Sequence, residues 1–295
     1  MNIKPYYLHH NQSKIAGLLE KVKVIYTDVD GTLLGPDGSI FSTTKNRESL
    51  YPAKALIKLK QLGVDVVMVS GRSKRQLFGD ARLLGFKNYI AELGCQVVHN
   101  LGREVHLNAP GITENKSSIY TRIEESGAPY LLIDEYKGYF EYHTPWSKGR
   151  QCTHVFRGLI DLEEANHLLE KNGLDWLQVI DNGIIKRTGR LKKDIAEIHA
   201  YHILPKGAGK ESGVRLDLKL RGCSKEEAMG LGDSLADLGL AKEVGIFFLM
   251  SNALSKHSQE VLEKLKQTDN AFVTPLAMNL GFAQAAFELV KAKSE

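Results

Sequence analysis

The stretch Val22-Lys23-Val24-Ile25-Tyr26-Thr27-Asp28-Val29-Asp30-Gly31-Thr32 decides the fold class. Residues 22–27 are a short, β-branched, nearly continuous apolar run, as expected of a parallel strand buried on both faces. The run stops at two carboxylates and a glycine turn, so Asp28 is expected at the C-terminal end of a strand. Similar runs recur at residues 64–69, ending at Ser70-Gly71-Arg72, at 89–91, at 228–231, ending at Gly232-Asp233, and at 244–249. Helical patterns separate most of them. Residues 73–84 open with Ser73 as N-cap and meet Gly85, while Leu56, Leu59 and Leu62 precede Gly63 at helical spacing. Alternating strands and helices predict an α/β fold with a doubly wound parallel sheet, which binds ligands outside the carboxyl ends of its strands. Acidic and small polar residues from three strand ends, about two hundred residues apart in sequence, would then converge on one crevice.

Residues 108–204 have a different texture. Short runs at 130–134, 139–143, 153–157, 177–180 and 184–188 read as strands, with Asp181-Asn182-Gly183 as a hairpin turn between the last two. A helix opening at Asp161, with Glu164 as capping partner and Leu162, Ala165 and Leu169 as its apolar stripe, lies among them. This segment is expected to be an α+β insertion. Residues 1–107 and 205–295 then form one core, which resumes with a helix over 210–220 whose Val214 and Leu218 face inward. At 295 residues the chain suits a core with a large insertion, and no fixed-period repeat suggests a solenoid.

Hydrophobic residues at 43% and charged residues at 25% are those of a globular protein. A formal charge of +4, spread along the chain, argues against a nucleic-acid partner and suits a small anionic substrate. Cys95, Cys152 and Cys223 are odd in number and lack CxxC spacing, which suggests neither a disulfide framework nor a structural zinc site and fits a reducing cytoplasm. The first ten residues lack the apolar stretch of a secretory signal, and no later run is long enough to span a bilayer. A soluble cytoplasmic protein is therefore expected, with no membrane partner.

Two carboxylates beside a glycine turn can take different tasks. Asp28 would attack phosphorus and form an aspartyl phosphate, while Asp30 would protonate the leaving oxygen and later deprotonate the hydrolytic water. Anions meeting an anionic phosphate need compensation, which a hard Mg²⁺ held by carboxylates and substrate oxygen supplies. Asp233 and Asp237, at another strand end, would complete the metal site. Small donors and one cation should surround the phosphate, and Ser70, Lys210 and Thr32 are the candidates.

These four segments resemble, in the right order and over nearly the whole chain, the four motifs of the haloacid-dehalogenase-like phosphatases. The resemblance implies a Rossmann-like core with an inserted cap, Mg²⁺ as cofactor and a small phosphorylated substrate. By it, Asp28 matches the nucleophile, Asp30 the general acid/base, Ser70, Gly71 and Lys210 the phosphate-binding motifs, and Asp233 and Asp237 the acidic metal motif. The Asp30 backbone carbonyl would be a further metal ligand. About forty residues separate Asp28 from Ser70 and about one hundred and forty separate Ser70 from Lys210, so the cap resembles the large α/β cap of the sugar-phosphatase branch. Gly230-Leu231-Gly232-Asp233-Ser234, Pro205-Lys206-Gly207-Ala208-Gly209-Lys210 and Ser70-Gly71-Arg72 look most like mannosyl-3-phosphoglycerate phosphatases. Sucrose-phosphate phosphatases and phosphomannomutases are similar but less close. The chain departs from the pattern at Ala236 and Leu93, where relatives usually carry Asn. A mutase on the same scaffold, or a phosphosugar-binding module with weak catalysis, are the competing expectations.

Each residue has a plainer reading. Asp-x-Asp-Gly-Thr alone is equally an ordinary turn after a buried strand, and Asp233 could merely cap a helix. Arg72, Arg150, Arg157, Lys186, Arg187 and Arg190 read individually as solvated charge, with the expectation that at least one of those in the insertion faces the crevice and grips a substrate carboxylate. His99, His106, His143, His154, His199 and His202 follow no metal-ligand spacing and read as structural. Trp146 and Trp176 read as packing residues, and residues 247–250 as a core strand.

Overall fold

The computed structural model describes residues 3–112 and 117–294. Residues 1–2, which open the expected core, 113–116 of the expected insertion, and 295 lie outside the described residues. Among the described residues, twelve strands form two sheets. In chain order they are β1 (Val24–Thr27), β2 (Asp65–Val69), β3 (Tyr89–Ala91), β4 (Gln96–His99), β5 (Glu104–Leu107), β6 (Phe140–Tyr142), β7 (His154–Gly158), β8 (Leu177–Ile185), β9 (Ile198–Pro205), β10 (Ala228–Gly232), β11 (Ile246–Met250) and β12 (Ala271–Thr274).

The larger sheet runs β12-β11-β10-β1-β2-β3-β4-β5. Its first six strands are parallel, and the β3-β4-β5 end is antiparallel. The chain builds outward from β1 in one direction and returns to its other side with β10, so the topological switch point lies at the carboxyl end of β1. Side chains alternate between two cores. Ile25, Met229 and Phe248 pack with Leu59, Leu77 and Phe282 on one face, whereas Tyr26, Phe247 and Leu249 pack with Val214, Leu218 and Val261 on the other. Every residue of β1 is buried, which explains its continuous apolar composition. The helix expected over 73–84 spans Lys74–Leu84, with Ser73 and Gln76 forming a capping box and Gly85 ending it in the left-handed region. The helix beginning at Lys210 ends at Arg221, one residue beyond its expected end, with Val214 and Leu218 buried.

The second sheet, in order β6-β7-β9-β8, is antiparallel throughout. Helix Leu162–Lys171 covers one face, capped by Asp161, with Ala165 and Leu169 buried. Two expectations fail here. Residues 130–134 belong to a helix, Ala128–Glu135, rather than a strand. Pro129 sits in its first turn, and Ala128 and Leu132 are buried one turn apart, so the apolar run has helical periodicity too short to be told from a strand. Asp181-Asn182-Gly183 does not reverse the chain either: β8 runs through it, with a register shift between Asp181 and Ile184. The Asp181 carboxylate accepts the Gly183 N–H at 2.7 Å, Gly183 takes φ +95°, and the one extra residue is absorbed as a bulge against β9.

Candidate active site

Register places the motif ends level with one another. Thr27 pairs with Met68 on one side and Leu231 on the other, so Asp28, Ser70 and Gly232-Asp233 emerge together at the carboxyl edge. Gly31, at φ +87°, lets the chain turn where any Cβ would run into the Asp233 carboxylate. Lys210 is the first residue of its helix, whose start is set by the backbone of Gly94 (φ +92°) packed directly on Gly209, so close that a Cβ at position 94 would collide with it. From there Lys210 Nζ donates to Asp28 Oδ1 and to Asp237 Oδ1, both at 2.6 Å, with all three side chains almost wholly buried.

Oxygens of Asp28, Asp233 and Asp237 lie within 4.8 Å of one another, a grouping able to hold a metal ion. Three carboxylates against one ammonium leave two negative charges unmatched. Burial, with the neighbouring Asp237 charge, pushes the Asp28 carboxyl up to about 7 against the pull of Lys210. Burial and the Asp28 and Asp237 charges likewise raise Asp233 well above the usual carboxylate range. Burial alone would lower Lys210, but Asp237 and Asp28 outweigh it and hold the ammonium charged. The donor set is all oxygen, the charge deficit is two, and both features fit a hard divalent cation. Asp233 is oriented by Thr32 Oγ1, which donates at 3.0 Å, and by Asn252 Nδ2 at 2.8 Å. Asp237 Oδ2 accepts from Ser234 Oγ at 2.6 Å and from the N–H groups of Asp233 and Ser234 at 3.2 Å each.

Asp30 stands apart from this cluster. Its side chain is 62% exposed, and Arg72 grips it through Nε at 2.9 Å and Nη2 at 2.6 Å while Nη1 donates to Asp80 at 2.8 Å. Thr32 is buried, and its hydroxyl is committed to Asp233 rather than free for a phosphate. Ser70 Oγ accepts the Arg72 N–H at 3.2 Å, which leaves its own hydroxyl hydrogen to donate.

The cations expected in the insertion are mostly engaged elsewhere. Arg150 is buried, donating to the carbonyls of Trp146 (2.9 Å) and Gly71 (2.8 Å) and to Thr153 Oγ1 (2.8 Å). Arg157 is bonded to Glu141, Thr144 and Thr188. Lys186 pairs with Asp37 at 3.1 Å in open solvent, Arg187 caps the carbonyls of Lys192 and Ile195, and Arg190 is exposed. Trp176 is half-buried against the insertion's own core, whereas Trp146 is 52% exposed.

Sequence reasoning missed the groups that join the second sheet to the first. Glu92, buried at the end of β3, accepts from the N–H of Gln151, Cys152 and Thr153 and from Thr153 Oγ1, all at 2.9–3.0 Å. On β9, Tyr201 and Ile203 point into the insertion's own core, so His202 points to the opposite face, toward the crevice. His202 Nε2 and Asn182 Nδ2 pack so closely on Gly71 that a Cβ there would stand 3.1 and 2.7 Å from them. Asn252 was equally unforeseen. Only the requirement that a buried carboxylate and a buried imidazole find partners could have pointed to these residues, and those partners are set by packing.

No helix among the described residues is long and apolar enough to cross a membrane. The family of haloacid dehalogenase-like hydrolases matches residues 25–271. The phosphoglycolate phosphatase of Sulfolobus acidocaldarius is 28% identical over 235 residues, covering 79% of this chain and 85% of that protein. Phosphoglycolate phosphatase 1 of Saccharolobus solfataricus is 29% identical over 239 residues, covering 79% and 84%. Among solved structures, the sucrose-phosphatase from Synechocystis in complex with sucrose and phosphate superposes with a TM-score of 0.61 at 13% identity, covering 91% of this chain and 98% of that one. A haloacid dehalogenase-like hydrolase from Bacteroides thetaiotaomicron gives 0.58 at 17% identity, covering 91% and 100%. At these identities the structural likeness concerns the fold.

Proposed function

The chain belongs to the haloacid dehalogenase-like hydrolase family, and on that premise we propose that it is a Mg²⁺-dependent phosphatase acting on a phosphorylated sugar or sugar acid. The observation that carries this reading is the convergence of Asp28, Asp233 and Asp237 around Lys210 at the switch point of the sheet. Such a cluster is two positive charges short of its carboxylates, which a mere structural core would not favour. Phosphoglycolate, the substrate named for the curated relatives, and a mannosyl-3-phosphoglycerate-like ester share one feature: a carboxylate close to the phosphorylated hydroxyl. A phosphorylated hydroxy acid is therefore the substrate class we favour.

Asp28 is the nucleophile, forming an aspartyl phosphate as the substrate P–O bond breaks. Lys210 orients its carboxylate and neutralises phosphate charge, and Ser70 Oγ and the Gly71 backbone bind phosphate oxygen. Asp30, held at the rim by Arg72, gives a proton to the leaving oxygen and takes one from the water that cleaves the intermediate. Asp28, Asp233 and Asp237, with the Asp30 carbonyl, would hold the Mg²⁺, and Asp237 also anchors Lys210 beside it. Bound there, the cation supplies charge neutralisation for the phosphoryl group. Residues 108–204 form the cap over this site, with its sheet as the roof.

Phosphate release from 2-phosphoglycolate, 3-phosphoglycerate, glycosyl phosphoglycerates and hexose phosphates, with Mg²⁺ or with EDTA, tests the proposal. Release that requires Mg²⁺ and vanishes in Asp28→Asn is expected. Full activity in Asp28→Asn would refute the covalent mechanism, and interconversion of hexose phosphates without release would identify a mutase.

A further inference from the structure

We infer that His202, with His143 across Val155 on the same rung, is the element of the active site that recognises the carboxylate of the leaving group. This rests on the phosphatase reading above and adds what selects the substrate. On the second sheet Val155 pairs with His202, and His143 donates its N–H to the Val155 carbonyl at 2.9 Å, so His143, Val155 and His202 stand on one rung. That rung faces the crevice, because the residues flanking His202 in β9 fill the core behind it.

His202 is 2% exposed, its Nε2 edge lies against Gly71, and its Nδ1 has no hydrogen-bond partner among the described residues. His143 Nδ1 is buried and unpartnered in the same way. A buried ring nitrogen without a partner costs about 1–3 kcal/mol, a sizeable penalty to carry twice on one rung. The other imidazoles of the insertion do not share it: His154 bonds the Tyr120 carbonyl at 2.9 Å and the Tyr142 hydroxyl at 3.1 Å, His199 bonds Asp181 at 2.7 Å, and His167 is exposed.

The surrounding charge decides what these nitrogens want. Burial and then the positive charges of Arg150 and Lys210 push His202 far below the ordinary histidine range, and burial with Arg157 and Arg150 lowers His143 to about 4. Both rings are therefore neutral and carry one N–H each; with that proton on Nδ1, the unpartnered nitrogen is a donor in a field of cations, an environment that favours an anionic oxygen. The cations themselves are engaged. Arg150 is spent on Gly71, Thr153 and Trp146, Arg157 on Glu141, Thr144 and Thr188, and Lys210 on Asp28 and Asp237. In-line displacement by Asp28 puts the leaving oxygen on the far side of phosphorus from the β1 end, which directs the leaving group toward the overlying sheet and His202.

The test compares 2-phosphoglycolate with p-nitrophenyl phosphate, which carries no carboxylate, in wild type, His202→Ala, His202→Asn and His202→Gln. The readout is the ratio of kcat/KM for the two substrates. One hydrogen bond to a charged acceptor corresponds to roughly 10- to 100-fold. His202→Ala should lower the ratio by that much, chiefly through KM for phosphoglycolate. His202→Asn, whose amide nitrogen occupies the Nδ1 position, should recover most of it, and His202→Gln, which reaches the Nε2 position, should not. Should His202→Ala fail to fold, the Asn and Gln pair carries the same discrimination. An unchanged ratio, or an equal loss on both substrates, would overturn the assignment while leaving the phosphatase reading intact. No release from either substrate by the wild type would instead refute that underlying reading.

Discussion

Replacing Lys210 by methionine keeps the length of the side chain and removes its charge. Lys210 Nζ lies 2.6 Å from both Asp28 and Asp237, so at an effective dielectric constant of about 20 each attraction is worth about 6 kcal/mol before any cost is counted. Burying the ammonium offsets several kcal/mol, and without it the carboxylates bind protons instead of repelling at full charge. The net loss expected from stranding one side of a buried ion pair is about 3–5 kcal/mol. For a chain of this size that lowers the thermal midpoint by roughly 5–8 °C. The loss must depend on pH. At pH 5 Asp28, held up to about 7 by its burial, is already largely protonated, so little repulsion is released; at pH 8 the three carboxylates are left with no internal counter-charge. Differential scanning calorimetry of the metal-free variant at both values therefore reads a larger deficit at pH 8, and phosphate release falls by about 10³-fold or more through the loss of one preorganised cation. A midpoint at pH 8 within 1 °C of wild type, or a deficit as large at pH 5 as at pH 8, would refute the reasoning.

The wild type without metal should itself lose stability as pH rises toward 7. The folded carboxyls of Asp28 and Asp233 titrate above their unfolded value, so the folded state binds more protons, and their contribution is complete below about pH 4 and lost on the way up. Mg²⁺ at about 100 times its dissociation constant should return about 3 kcal/mol at pH 8 and much less at pH 5; equal thermal shifts at both values would contradict the charge count. Glu92→Ala strands four donors of residues 151–153 and should cost about 3–5 kcal/mol, with faster amide exchange confined first to that loop; an unchanged exchange pattern would show that the carboxylate does not tie the two sheets together. Gly31→Ala forces a side chain into φ +87° and into the Asp233 carboxylate, so Mg²⁺ affinity measured by calorimetry should fall at least tenfold. Unaltered affinity would remove Asp233 from the metal site.

Which parts could be read beforehand follows from how local the governing physics is. The strands around β1 were legible because burial on both faces demands apolar runs, and the helix after Ser73 because its cap and its terminal glycine are local chemistry. Strand β9 was illegible: His199, Tyr201 and His202 break the apolar pattern, and only pairing with β7 and β8 makes the segment a strand. Asp181-Asn182-Gly183 misled for a related reason, since a turn signature is also the signature of a bulge, and the neighbouring strand decides between them.

What the amino-acid sequence determined by itself is the chemistry on offer: carboxylates at strand ends, a lysine opening a helix, an α/β order of elements, and hence the family. Those choices are written in residue type and in spacing along one strand or one helix. The tertiary structure decided which groups are left to act. It spent Arg150 and Arg157 on the insertion's own framework, tied Thr32 to Asp233, held Asp30 with Arg72, and turned His202 toward Gly71. Hydrogen bonds and burial are shared between residues remote in the chain, so whether a given side chain is free to meet a substrate is settled only when its neighbours have been brought beside it.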